Sequence, residues 1–211
     1  MKVCEIFKSI QGESTYAGLP CIFVRLTGCN LRCSYCDTTY AYDEGSEMTT
    51  RKIIESVRDC GLNLVEITGG EPLLQPDVLP LISQLLDSGV KVLVETNGSV
   101  DIGDVDKRAA IIMDVKTPGS GMSDRLLMAN FDLLKRIDEV KFVITDRSDY
   151  EWARELVRQH RLSDKCTILF SPAYRQLESA DLSGWIIDDN LPVRLNLQLH
   201  KYIYSPYQRG V

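Results

Sequence analysis

Short runs of β-branched and aliphatic residues recur along this chain, separated by segments whose apolar residues fall three and four positions apart. The runs at 21–27 (CIFVRLT), 64–68 (LVEIT), 91–95 (KVLVE), 110–114 (AIIMD), 139–145 (EVKFVIT), 166–170 (CTILF) and 193–197 (VRLNL) read as strands. The stretch 2–11 offers an extra one. Helical spacing appears at 50–60, where Ile53, Ile54 and Val57 share a face, and at 78–88 with Leu79, Ile82, Leu85 and Leu86. It appears again at 149–160 with Trp152, Leu156 and Val157. Strand and helix in strict alternation predict an α/β fold with a parallel sheet and helical crossovers.

Polar and small residues cluster after nearly every predicted strand: Gly28–Cys29, Thr68 to Glu71, Glu95 to Asn97, Asp114 to Lys116, Ser171, and Gln198 to His200. In a barrel those strand ends share one mouth, whereas an open doubly wound sheet uses only the ends near its switch point. The pattern therefore predicts an incomplete (β/α)6-type barrel with its active site at the C-terminal ends of the strands. Its 211 residues suit one domain, 1–211, and fall short of the ~250 typical of eight β/α units.

Composition narrows the setting. Hydrophobic residues make up 44% and charged residues 26%, a globular balance without a disorder signature. A net charge of −6 and a pI near 5.0 do not suggest a nucleic-acid-binding surface. The polar N-terminus and the lack of an apolar run near ~18 residues predict no membrane span and a cytoplasmic protein. Seven cysteines are too few for a disulfide scaffold at this length. Cys4, Cys21, Cys60 and Cys166 are scattered through apolar stretches and read as buried small hydrophobes.

The other three, Cys29, Cys33 and Cys36, form C-x3-C-x2-C within TGCNLRCSYCD, in a loop just after a strand. A structural zinc site normally takes four protein ligands, and no second half lies nearby. A dithiol redox motif needs only two. An iron–sulfur cluster used for electron transfer ordinarily takes four thiolates, so three would leave one iron open for something other than protein.

This motif, with the aromatic Tyr35 before its last cysteine, resembles the radical S-adenosylmethionine superfamily. The resemblance implies a 4Fe–4S cluster held by Cys29, Cys33 and Cys36, with S-adenosylmethionine chelated at the open iron and cleaved to a 5′-deoxyadenosyl radical. ITGGEP (67–72) resembles the superfamily's Gly-Gly-Glu motif, in which the glycines admit backbone close to a ligand and Glu71 faces the methionine ammonium. ETNG (95–98) and DVK (114–116) offer polar groups at two further strand ends. Cofactor contacts implied in this way are Tyr35, Asp37, Gly70, Glu71, Asn97, Asp114, Val115, Lys116 and Ser171.

IFKSIQGES (6–14), Gly18, FVRLTGCNLRCSYCDT, ITGGEPLLQ, VETNGS, KFVI and LQLHKYIYSP together resemble, over nearly the whole chain, the 7-carboxy-7-deazaguanine synthase family of queuosine and deazapurine biosynthesis. That family's substrate is 6-carboxy-5,6,7,8-tetrahydropterin, which loses ammonia in a ring contraction. The resemblance implies that Ile10, Gln11 and Gly12 bond the pterin edge and that Glu13 accepts from its amino groups. An amide beside a carboxylate suits that edge. Arg25, which alternates with Phe23 and Thr27 toward the lumen, offers a fork for the substrate carboxylate. Thr38 is implied as a ligand of Mg²⁺, Thr68 as a substrate contact, and His200, at the end of the last strand, as another. Lys141 could project inward from its strand with Glu139 and Val143 but is given no role. Ser14 stands where the family often has glycine, and neither Pro206 nor the tail through 207–211 is assigned. Reduced flavodoxin or ferredoxin as electron donor and a homodimer complete the family expectation.

A glycyl-radical activating enzyme shares the GCNLRCxYC style but must admit a protein loop, against which Gln11-Gly-Glu13 argues. An iron–sulfur electron carrier or zinc-binding regulator would require four protein ligands and no turnover of S-adenosylmethionine.

Overall fold

The computed structural model describes residues 1–205 and 208–211; Pro206 and Tyr207 lie outside the described residues. Its framework is one sheet in the order β3-β1-β2-β4-β5-β6-β7-β8-β9. The strands are β1 (Lys2–Ile10), β2 (Pro20–Leu26), β3 (Ser46–Glu47), β4 (Leu64–Gly69), β5 (Lys91–Thr96), β6 (Ala110–Val115), β7 (Glu139–Ile144), β8 (Thr167–Pro172) and β9 (Arg194–Leu195). From β2 through β9 every neighbouring pair is parallel. β1 runs antiparallel to β2 and carries β3 on its outer edge, so the predicted extra strand is present. The sheet does not close, and the fold is an incomplete barrel.

Alternation divides each strand between two environments. Ile22, Val24, Val65, Ile67, Val92, Val94, Ile111 and Met113 point outward into the large core beneath α1 (Thr50–Cys60), α2 (Val78–Asp87) and α3 (Arg147–Gln159). Their alternates Cys21, Phe23, Leu64, Leu93, Ala110 and Ile112 form a smaller cluster on the concave side with Phe7 and Tyr16. That cluster floors the lumen, and polar residues stand above it.

The hairpin loop between β1 and β2 crosses this lumen. Gln11 reaches Glu66 of β4, and Thr15 donates its backbone N–H to Glu139 of β7 at 3.1 Å. Leu199 N donates to Gly12 O at 2.8 Å, tying the segment after β9 to the same loop. Residues from the first hairpin thus span a gap the parallel strands leave open. Ser14, in this loop, has φ 67° and accepts from Tyr16 N at 3.1 Å, a conformation the family's glycine adopts more easily.

The expected helical alternation fails at two crossovers. Residues 97–109, between β5 and β6, contain no α-helix, and 116–138, between β6 and β7, hold only 3-10 turns at Pro118–Ser120, Ser123–Arg125 and Met128–Asp132. The physical reason lies in Gly, Asp and Asn residues that bond locally, such as Asp101 accepting from Gly103 N at 2.7 Å. Buried side chains take over the role of a helix. Asn130 accepts from Ile102 N at 3.2 Å and donates to Gly98 O at 3.1 Å and Val100 O at 2.8 Å. Conversely, α4 (Leu162–Lys165) and α5 (Ser179–Asp188) were not anticipated. The last strand shrinks to two residues, and His200 does not end it but opens the short helix α6 (His200–Ile203).

Tyr150 joins α3 to α5, its hydroxyl lying 2.8 Å from Trp185 O and 2.7 Å from Asp189 Oδ2. Cys21 and Cys166 are buried as expected, whereas Cys4 and Cys60 are only partly covered. Among the described residues no helix is long and apolar enough to cross a membrane.

Asn130→Leu removes all three staples and orphans buried backbone groups. Global stability should fall by about 3 kcal/mol, read as a lower urea midpoint at unchanged slope.

Candidate active site

The concave face opens into a cavity of about 630 Å³ at the C-terminal ends of the parallel strands. Cys29, Cys33 and Cys36 all line it. So do the anticipated Ile10, Gln11, Gly12, Glu13, Arg25, Tyr35, Asp37, Thr38, Thr68, Gly70, Asn97, Asp114, Lys116 and His200.

The cysteine loop is bracketed from several directions. Gly28 N donates to Ala41 O at 2.8 Å, and Gly28 O accepts from Glu71 N at 2.7 Å. Gly70 N reaches back to Leu26 O at 3.2 Å. Strand ends β2 and β4 therefore lace together where the loop departs. A Cβ on Gly70 would stand 2.7 Å from Cys29 Cβ, so only glycine permits this approach. Asn97 Nδ2 donates to Asn30 Oδ1 at 3.2 Å and lies 3.9 Å from Cys29 Sγ. Arg32 donates to Cys29 O at 2.8 Å and to Leu31 O at 2.7 Å, its guanidinium 4.1 Å above the Tyr42 ring.

The loop fits an iron–sulfur cluster. All three thiols are free, half-buried and turned to one cavity. Among the described residues, no three His, Cys, Asp or Glu groups converge on a single-ion position. A tetrahedral zinc needs such convergence, while a cluster binds one thiolate at each of several irons. Burial pushes the Cys29 and Cys33 thiols up, so metal binding would have to release their protons.

Deeper in the lumen, Lys141 is the hub. Its Nζ lies 2.7 Å from Glu13 Oε2, 2.7 Å from Glu95 Oε1 and 3.2 Å from Asp114 Oδ2, with the side chain only 4% exposed. Burial alone would lower the Lys141 pKa, but Asp114, Glu13 and Glu95 outweigh it and hold the ammonium charged. Burial likewise favours protonation of Glu13, yet Lys141, His200 and a 2.8 Å hydrogen bond from Gln198 keep that carboxyl below its ordinary range. Asp114 is also held low, burial being overcome by Lys116 and Lys141. Its Oδ1 is buried without a partner, an acceptor left available beside the cavity.

Glu66 behaves in the opposite way. It stands beside the apolar floor, paired in register with Phe23 and Leu93. Burial, reinforced by Glu95, drives its pKa well up despite the bond from Gln11. Gln11 is oriented at its other end, where Oε1 accepts from Glu13 N at 3.1 Å.

Toward the rim, Arg25 donates from Nε to Glu5 at 2.8 Å, which leaves both Nη groups for a ligand. Glu5 is fixed in turn by the Tyr40 hydroxyl at 2.7 Å. His200 lies over the Gly12 backbone. Burial lowers its pKa, with Glu13 and Asp37 opposing the shift and Lys201 and Lys141 adding to it. Asp37 is anchored by Lys201 at 2.9 Å. Burial would raise this carboxyl, but Lys201 and the Thr38 hydroxyl lower it to about 2. Thr38 donates its proton to Asp37 Oδ1 at 3.0 Å, so its oxygen lone pairs are available to a hard cation.

Three expected contacts are not on the cavity wall. Glu71 is 0% exposed and its oxygens are taken by Leu73 N at 3.0 Å, Thr96 Oγ1 at 2.9 Å and Asn97 N at 2.6 Å. Its carboxylate ties β4 to β5 and does not face the cavity. Val115 points into the outer core, since alternation places Asp114 and Lys116 inward. Ser171 is buried against Asn196 Nδ2 at 2.8 Å. Sequence reasoning in turn assigned no site role to Lys141, Glu66, Glu95, Gln198 or Lys201, all of which line the cavity. For the first three the signal was available: a charged residue between apolar ones in a strand covered on its other face must point inward.

Glu66 supplies a test of this electrostatic layout. Its folded pKa is raised, so the unfolded state loses its proton first, and stability declines from the unfolded value near ~4.3 up to the folded one. Glu66→Gln has no such proton to lose. Its stability relative to the unsubstituted protein should therefore grow with rising pH, by at most about 1.4 kcal/mol per unit, in urea unfolding between pH 5 and 9. A difference independent of pH would refute the assignment.

Residues 23–118 match the Radical SAM superfamily. The 7-carboxy-7-deazaguanine synthase of Koribacter versatilis is 46% identical over 226 residues, covering 100% of both chains. That of Chlorobaculum tepidum is 46% identical over 214 residues, covering 100% of this chain and 97% of the relative. The crystal structure of QueE from Escherichia coli shares the fold, with a TM-score of 0.79 over 94% of each chain at 23% identity. With both its superfamily match and its full-length relatives agreeing, the chain belongs to the 7-carboxy-7-deazaguanine synthase family of radical S-adenosylmethionine enzymes.

Proposed function

We propose that this protein converts 6-carboxy-5,6,7,8-tetrahydropterin to 7-carboxy-7-deazaguanine with loss of ammonia, as a Mg²⁺-assisted radical carbon–nitrogen lyase of the queuosine and deazapurine pathway. The observation that carries the reading is a single cavity that joins a three-thiol loop to a guanidinium, Arg25, and to the Gln11–Glu13 edge. When bound, the cluster and S-adenosylmethionine supply a 5′-deoxyadenosyl radical able to remove a substrate hydrogen.

The chain's own residues bind and orient. Arg25, steadied by Glu5, takes the substrate carboxylate through its Nη groups. Glu13, held anionic by Lys141, has acceptor capacity left for the pterin amino groups. Gln11 offers its amide beside it, with Thr68 on the wall; Thr68 donates to Glu95 at 2.9 Å and so keeps its lone pairs free to accept. Thr38 is the protein ligand for Mg²⁺, next to the anionic Asp37. Gly70, Asn97, Asp114 and Lys116 face the cofactor's share of the cavity. His200, lying over the Gly12 backbone, packs at the substrate's side and excludes water. The electron comes from reduced flavodoxin or ferredoxin, and two chains work as a homodimer.

Anaerobically reconstituted protein, given the carboxytetrahydropterin, S-adenosylmethionine, Mg²⁺ and reductant, should yield the deazaguanine chromophore and one ammonia per product. Arg25→Gln should raise KM by about 10- to 100-fold, the cost of losing a charged hydrogen bond, with the cluster spectrum unchanged. Neither product nor ammonia from the unsubstituted protein would end this reading. A radical formed on a glycine-containing peptide would transfer it to the activating-enzyme alternative.

A further inference from the structure

Asp149 lies outside the cavity, on the first turn of α3, and is 1% exposed. Four donors converge on its carboxylate. Oδ2 accepts from Thr117 Oγ1 at 2.9 Å, Thr145 N at 3.0 Å and Thr145 Oγ1 at 2.6 Å, and Oδ1 accepts from Gly119 N at 2.8 Å. The acid is itself fixed, because the helix N-cap Asp146 accepts from Asp149 N at 2.9 Å.

Thr117 and Gly119 belong to the turn that follows β6 and the cavity residue Lys116. The opposite side of that turn holds the cysteine loop. Ser34 donates its N–H to Ser120 O at 3.0 Å and its hydroxyl to Gly119 O at 2.8 Å. Gly119 therefore gives its N–H to Asp149 and receives Ser34 on its carbonyl. A Cβ at Gly119 would stand 2.6 Å from Asp149 Oδ2, so the strut has no slack. Ser34 sits between Cys33 and Cys36, in a stretch with no helix or strand of its own. The Cys29 side is held separately, by Asn97 and by Asn30 donating to Ser99 Oγ at 2.8 Å.

We propose that Asp149 is a positioning residue for the iron–sulfur site, fixing the Cys33–Cys36 half of the loop through the 117–121 turn and Ser34. The inference rests on the reading of these cysteines as cluster ligands. Outer contacts of this kind orient metal ligands without touching the metal. A carboxylate with four donors resists displacement, because moving it would orphan buried groups on both sides.

The test uses anaerobically reconstituted full-length protein and two readouts besides turnover: iron release to a ferrous chelator, and the electron paramagnetic resonance signal of the reduced cluster. Asp149→Ala should release iron about 10-fold faster or more, with an altered signal. Asp149→Asn keeps one acceptor oxygen and should fall between. Tyr150→Phe loosens the same helix on its α5 side and should release iron at the original rate. Equal release from Asp149→Ala and the unsubstituted protein, or from Asp149→Ala and Tyr150→Phe, overturns the proposal. Should Asp149→Ala not fold, Ser34→Ala weakens the strut at its far end by removing the hydroxyl bond to Gly119 O while the backbone bond to Ser120 O stays; faster release supports the role and an unchanged rate overturns it. If the unsubstituted protein takes up no cluster, the cluster reading falls, and this inference with it.

Discussion

One buried ammonium organises the lumen. Lys141 comes from β7, Glu95 from β5, Asp114 from β6 and Glu13 from the first hairpin, so a single Nζ joins four segments far apart in the chain. Removing Lys141 would leave three carboxylates facing one another in a buried space, a far larger penalty than the loss of a surface pair. The open side of the barrel makes this hub necessary. The sheet ends at β3 and β9 and cannot close its interior by strand pairing, so a loop must cross it. Charge fixes where that loop lands: Glu13 on Lys141 and Gln198, Thr15 on Glu139, Gln11 on Glu66. The residues that close the lumen also form much of its binding surface.

A second principle governs the cysteine loop. Within it Cys36 N bonds Cys33 O at 3.2 Å and the Arg32 side chain bonds Cys29 O and Leu31 O, but with no helix or strand of its own it takes the rest of its shape from its surroundings. Glu71 illustrates the division of labour. Its backbone N–H holds Gly28, while its carboxylate holds Thr96 and Asn97, and Asn97 in turn touches Asn30. Burial raises the Glu71 pKa, although the Asn97 and Leu73 N–H groups, Thr96 and Lys116 oppose it. In this protein the Gly-Gly-Glu segment is therefore a joint between strand ends β2, β4 and β5.

How much of this could be read from the residues alone depended on whether the signal was local. Alternation in 64–68 and 110–114 sufficed for β4 and β6, and the cysteine spacing sufficed to locate the loop. Helical crossovers were over-predicted because a sheet covered by helices on average need not be covered everywhere, and Asn130 stands in for a helix through long-range bonds that no periodicity reveals. His200 was misplaced for a related reason. VRLNL looks like a strand, but its pairing with β8 ends at Leu195, the bond from Asn196 N to Phe170 O at 2.9 Å being the last rung before the chain leaves the sheet. Glu71, Val115 and Ser171 were assigned by motif; their orientations depend on neighbours that no spacing specifies. Lys141 was the reverse case, with a legible orientation and partners visible only in three dimensions.

Charge accounting in the lumen indicates what the cavity will admit. Arg25 and Glu5 balance each other at the rim. Below them Glu13, Glu95 and Asp114 face Lys141 and Lys116, while burial drives the pKa of Glu66 up. The three carboxylates outnumber the two ammonium groups they face, and the unpartnered Asp114 Oδ1 is among the acceptors. In a low-dielectric pocket such an excess favours a cation over a neutral or anionic guest. A positively charged group answers that demand beside Asp114, while the Arg25 Nη groups stand at the rim. Lys141 fixes the Glu13, Glu95 and Asp114 carboxylates in place beneath the rim.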